Sequence, residues 1–89
     1  MEKRNQKRGK VPLTVLKKGE SGTVASINAG YGRGKGFKKR LMDMGLTPGT
    51  RVTVVKSAPF HGPFEILVRG SRLALGRGMA ERIFVEIDQ

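Results

Sequence analysis

Apolar residues recur along this chain with two periods, and the switch between them locates the elements. Within residues 37–50 (FKKRLMDMGLTPGT), Phe37, Leu41 and Met44 stand at i, i+4 and i+7 and so share one helical face. Gly45 follows the last periodic residue, where a left-handed cap favours a residue without Cβ. Leu46 stands where a Schellman cap folds an apolar residue back onto Leu41. Thr47-Pro48-Gly49-Thr50 has Pro and Gly at the central positions of a type II turn. The pattern predicts a short helix, its stop signal and a tight turn into a strand. It assigns Phe37, Leu41 and Met44 to the core.

After Pro48-Gly49 the period becomes two. Val52 and Val54 share one face of a strand, and Thr53 and Val55 share the other. Residues 58–63 (APFHGP) read as a loop. Phe64, Ile66 and Val68 then alternate with Glu65, Leu67 and Arg69. Gly70-Ser71 is a two-residue hairpin signal, and Leu73 and Leu75 continue on the return strand. Gly76-Arg77-Gly78 breaks that strand, residues 79–82 form one helical turn, and Ile83, Val85 and Ile87 make a closing strand. Upstream, Leu13 and Leu16 predict a docked turn ended by Gly19. Residues 23–27 (TVASI) predict the first strand, although Val24 and Ile27 are out of phase. The expectation is a mainly β domain of about five short strands, with one short α-helix between the first and second. Closing such strands into a barrel would remove their exposed edges.

Composition narrows the class. The 89 residues suffice for one small domain. No cysteine is present, which excludes disulfides and thiolate metal sites. The opening MEKRNQKRGK has no apolar segment after it, so it does not read as a signal peptide, and no run approaches the roughly 20 apolar residues of a membrane span. A soluble, cytoplasmic protein is expected. Residues 1–10 read as a disordered basic tail and 11–89 as the domain. The formal net charge is +11, of which the tail contributes +4 and the domain +7. That balance favours an acidic partner: nucleic acid, an anionic membrane surface or an acidic protein face.

Residues 29–37 (AGYGRGKGF) invite a phosphate-binding reading and fail its rules. A P-loop needs four residues between its first Gly and Gly-Lys, then Ser or Thr; here three intervene before Gly34-Lys35, and Gly36 follows. The alternating glycines also miss the G-x-G-x-x-G spacing. The run reads instead as a flexible loop entering the helix. Arg33, Lys35, Lys38, Lys39 and Arg40 place five positive charges within eight residues. Beside them Met42 lies off the core stripe and is expected to be exposed, as methionines that adapt to partners often are. His61 is the single histidine and has no carboxylate or thiol company in its Gly-Pro loop, so no metal ligand set, cofactor or catalytic residue is assigned.

RLMDMGLTPGT (residues 40–50), the following VTVVKSAPFHGPFEILVRGSRLALGRGMAERIFVEI and the opening PLTVLKKGESGTVASI resemble the ferrous iron transport protein A (FeoA) family. The resemblance covers roughly residues 11–88. It implies a small SH3-like β-barrel in the cytoplasm and a partner, the membrane ferrous-iron transporter FeoB with its cytosolic GTP-binding domain. It also implies an accessory or regulatory role, to which family descriptions attach transition-metal binding. A protein-binding module for iron uptake is the first functional expectation. Its contact residues are Arg33, Lys35, Lys38, Lys39 and Met42, with Leu46 and Pro48 shaping the adjoining turn. The alternative is a small basic barrel that binds RNA, since GTVASINAGYGRGK superficially resembles KOW segments. Entry into a helix, and Tyr31 as the one plausible stacking aromatic, oppose it. An enzyme is not expected. Self-association through a barrel edge is left open.

Overall fold

The computed structural model describes residues 9–28, 34–57 and 62–88 and, of Gly34 and Lys35, the backbone alone. The chain runs β1 (Val11–Pro12), a 3-10 turn (Leu13–Val15), β2 (Ser21–Ile27), α1 (Gly34–Asp43), β3 (Arg51–Ser57), β4 (Phe64–Val68), β5 (Ser71–Leu75), α2 (Arg77–Ala80) and β6 (Ile83–Ile87). All strand pairs are antiparallel, in the order β1-β6-β2-β3-β4-β5. The mainly β, SH3-like class expected from the sequence is the class observed.

Several details differ from expectation, among them the start of β2 at Ser21 and the last helical turn, which spans Arg77–Ala80 and not 79–82. Among the described residues the strands number six, because Val11 and Pro12 pair with Val85 and Phe84 at the edge of the sheet. Two residues are too few to show a period, and an edge is where a strand tolerates proline. The helix α1 therefore lies between the second and third strands, not the first and second. Among the described residues the sheet is not closed by hydrogen bonds, and β1 and β5 are its two edges. The hairpin loop is Arg69-Gly70, one residue earlier than Gly70-Ser71, since Val68 pairs with Ser71.

The core nevertheless sits inside one curled sheet. Val24, Ile27, Val52, Val54, Phe64, Ile66, Val68, Leu75, Ile83 and Val85 from five strands form one buried cluster with Leu13, Leu16, Leu41, Leu46 and Ala80. Two bulges assist the bending. In β2 the register shifts between Val24 and Ser26, which brings Val24 and Ile27 to the same side despite their odd spacing. In β3 it shifts between Val54 and Lys56. The 3-10 turn Leu13–Val15 and α2 contact one another, and both supply buried side chains.

Candidate protein-contact surface

The candidate surface is built on α1 and the corner that follows it. The second half of the glycine run is helical: α1 begins at Gly34, so Lys35 lies in its first turn and not in a loop. Two glycines in that turn weaken it by about 1 kcal/mol each relative to alanine. The helix is held from its other side. Leu41 is fully buried, while Phe37 and Met44 pack partly buried against the core. The Arg82 guanidinium lies 5.5 Å from the centre of the Phe37 ring, a cation–π contact that ties α1 to the chain after α2.

The C-terminal cap of α1 is the Schellman motif that the sequence predicts. Leu46 N donates to Leu41 O at 3.1 Å, Gly45 N donates to Met42 O at 3.0 Å, and Gly45 has φ 101°. Leu41 and Leu46 are both 0% exposed, which is the apolar contact of that motif. The type II turn is also present, with Thr50 N donating to Thr47 O at 3.0 Å and Gly49 at φ 91°. The turn is bonded onto β2: Gly49 N donates to Val24 O and Val24 N to Thr50 O, each at 2.8 Å. Thr47 Oγ1 and Thr50 Oγ1 share a hydrogen bond of 2.9 Å. The corner is therefore fixed by interlocking backbone bonds and not by side-chain packing alone.

On the outer side, Lys38, Lys39 and Arg40 are exposed. Lys39 Nζ lies 3.5 Å from Asp43 Oδ2, an i,i+4 pair. Among the described residues no carboxylate pairs with Lys38 or Arg40. Met42 differs from expectation: it is partly buried and packs against the core, so it presents only part of its surface. Leu46 is wholly buried and serves by shaping the corner, whereas Pro48 at the turn is exposed. Lys38, Lys39 and Met42 lie on α1, and Pro48 lies in the turn that follows it. Arg33 and the Lys35 side chain lie outside the described residues, as do Tyr31 and His61.

One residue of this corner was missed by sequence reasoning. Arg69 opens the β4–β5 hairpin at φ 51°, followed by Gly70 at φ 83°. Its Nη2 donates to Thr50 Oγ1 at 3.2 Å, and a Cβ placed on Gly45 would stand 3.5 Å from Arg69 Cδ. The hairpin therefore leans on the end of α1. A signal was present: Arg-Gly between two alternating runs fits a two-residue turn with positive φ at both positions, although arginine is an unusual first member.

The family model for the FeoA domain matches residues 11–87. This chain belongs to the FeoA family. It is 39% identical over 75 residues to a protein assigned as Fe(2+) transport protein A from Methanocaldococcus jannaschii, covering 84% of each chain. The solution structure of the FeoA protein from Chlorobium tepidum superposes with a TM-score of 0.77 at 34% identity, over 89% of this chain and 71% of that one. A zinc-complexed FeoA from Stenotrophomonas maltophilia, described as an SH3 domain protein, shares the fold at a TM-score of 0.77 and 24% identity, over 89% and 96%. A Porphyromonas gingivalis protein named as a fusion of Fe(2+) transport protein A with the Fe(2+) transporter FeoB is 32% identical over 75 residues; these are 84% of this chain and 8% of that protein.

Among the described residues no three of His, Cys, Asp and Glu gather as a ligand set, and the chain has no cysteine. Nor is any helix among them long and apolar enough to cross a membrane.

Proposed function

We propose that this FeoA-family protein is a cytoplasmic accessory factor of ferrous iron uptake that docks on the cytosolic side of an FeoB-type transporter. The contact runs through the basic face of α1 and the corner in which α1 ends. The observation that carries the reading is the exposed run Lys38, Lys39 and Arg40, mounted on a helix whose end is locked by backbone bonds. A charged face on a rigid support steers an acidic partner and loses little conformational freedom on contact. The fused relative supports the choice of partner. Two modules joined in one chain meet at high effective concentration, and separate chains need an interface in place of the linker.

Iron is then the transporter's cargo and not a cofactor of this chain. The test is a titration of the protein with the transporter's soluble cytosolic domain, repeated with Lys38→Glu/Lys39→Glu. The double variant should melt as the unaltered protein does and bind about tenfold or more weakly, mainly through a slower association rate. Equal affinity in the folded double variant would remove α1 from the interface.

A further inference from the structure

The Arg69 hairpin is not explained by stability. The first central position of this turn has φ 51°, where glycine, asparagine or aspartate is comfortable and a long side chain is strained. The Arg69 side chain is nevertheless held in one place. Its stem lies against Gly45 and its Nη2 donates to the hydroxyl of Thr50, a residue only 8% exposed. A guanidinium has five N–H donors in a planar fork. That is the one hydrogen bond the guanidinium makes among the described residues, and no carboxylate there pairs with it. The neighbouring arginines are placed differently: Arg51 is paired with Asp88 at 2.7 Å and Arg72 with Glu65 at 3.4 Å. Arg69 is a strained, anchored and exposed fork with donors to spare, seated where α1 ends.

We infer that Arg69 is the anchoring residue of the partner interface and receives an aspartate or glutamate side chain of the transporter. The inference rests on the docking reading above and adds what fixes its register. The lysines of α1 act as point charges on flexible stems and bring the partner near. A preset guanidinium donates two parallel hydrogen bonds to a carboxylate and sets its orientation. A carboxylate fits better than a phosphate, because four amides of the adjoining corner are already committed to carbonyls and are not offered as a cradle. The amides of Gly49 and Thr50 already donate to Val24 O and Thr47 O, and those of Gly45 and Leu46 donate to Met42 O and Leu41 O. What remains is one exposed fork bonded to Thr50 at the end of the turn, a surface suited to a single acidic side chain.

Strain makes the test decisive, because binding should fall with no loss of stability. The experiment compares unaltered protein, Arg69→Gly, Arg69→Asn, Arg69→Lys and Lys38→Glu/Lys39→Glu, each titrated with the full-length FeoB-type transporter in lipid nanodiscs and each melted alone. Arg69→Gly and Arg69→Asn should melt at or near the temperature of the unaltered protein. They should bind on the order of tenfold or more weakly, chiefly through faster dissociation. Arg69→Lys keeps the charge without the fork and should also bind more weakly. Added salt should affect the lysine contribution more than that of Arg69. Unchanged affinity in Arg69→Gly and Arg69→Asn, with weakened affinity in the lysine double variant, overturns the anchor and leaves the docking reading standing. No binding by the unaltered protein overturns both. A shift of the Arg69 Nε–H resonance with inorganic phosphate and none with the transporter overturns the choice of carboxylate.

Discussion

The exposed run at residues 38–40 and the corner at residues 41–50 adjoin in the chain and do opposite work. The run presents Lys38, Lys39 and Arg40 to solvent, with Asp43 as the one carboxylate paired to it among the described residues. The corner buries Leu41 and Leu46 completely and commits the amides of Gly45, Leu46, Gly49 and Thr50 to named carbonyls. Among the described residues the Lys39–Asp43 pair is the one ion pair of the run, whereas the corner's residues answer local structural demands. The difference separates what folds this protein from what a partner would read.

Truncation in the two regions should break the comparison most sharply. Leu41→Ala removes a side chain that is 0% exposed between α1 and the strands, and should cost about 2–5 kcal/mol. In a domain of this size that lowers the melting temperature by roughly 10 °C or more. Lys38→Ala, three residues earlier, should change stability by no more than about 0.5 kcal/mol. Urea unfolding of both variants measures the contrast. Equal losses would mean that the basic face is itself part of the packed structure.

The next effect tests the corner without touching its core. Gly45 has φ 101°, and a Cβ there would meet Arg69 Cδ at 3.5 Å and Val68 Cγ2 at 3.6 Å, both ordinary contacts. Gly45→Ala should therefore cost about 1–2 kcal/mol through backbone conformation and not through collision. Gly45→Asn should cost less, because asparagine tolerates the left-handed region. A larger loss in the asparagine variant than in the alanine variant would show that contact with Arg69, and not φ, decides the position.

The same division explains what could be read from residue order. The Schellman cap and the Pro48-Gly49 turn were legible because each depends on a few neighbours whose chemistry admits one local solution. The alternation of Phe64, Ile66 and Val68 was legible because one face of β4 is buried. The phase slip between Val24 and Ile27 was visible as an irregularity, but its meaning as a bulge needed the β6 register. Strand β1 was too short to carry a period, and the open edges at β1 and β5 depend on how the whole sheet curls. Met42 was placed by helical spacing on the outer face, yet a flexible methionine at the margin of a thin core turns partly inward. Arg69 was read as one more strand position, because turn rules favour small residues at positive φ. A residue that departs from such a rule is where a function beyond folding is best sought.

The smallest effect sharpens the comparison most, because it sits on the boundary between the two regions. Asp43 is the last residue of α1 and pairs with Lys39 at 3.5 Å, both side chains being well exposed at 67% and 77%. Losing this pair in Asp43→Asn forfeits about 0.3–0.5 kcal/mol. The same change removes a negative charge from the negative end of the helix dipole, which returns about 0.3–1 kcal/mol. The net change in stability should lie between zero and a slight gain. Binding has no such cancellation, since Lys39 loses its internal partner and the face becomes more positive. Affinity for an acidic partner should rise by about two- to threefold at low salt, and the gain should fade as salt screens it. A titration at two ionic strengths measures both. If Asp43→Asn instead weakens binding at equal stability, the partner reads a Lys39 held in place by Asp43, and the basic run is as preorganised as the corner beside it.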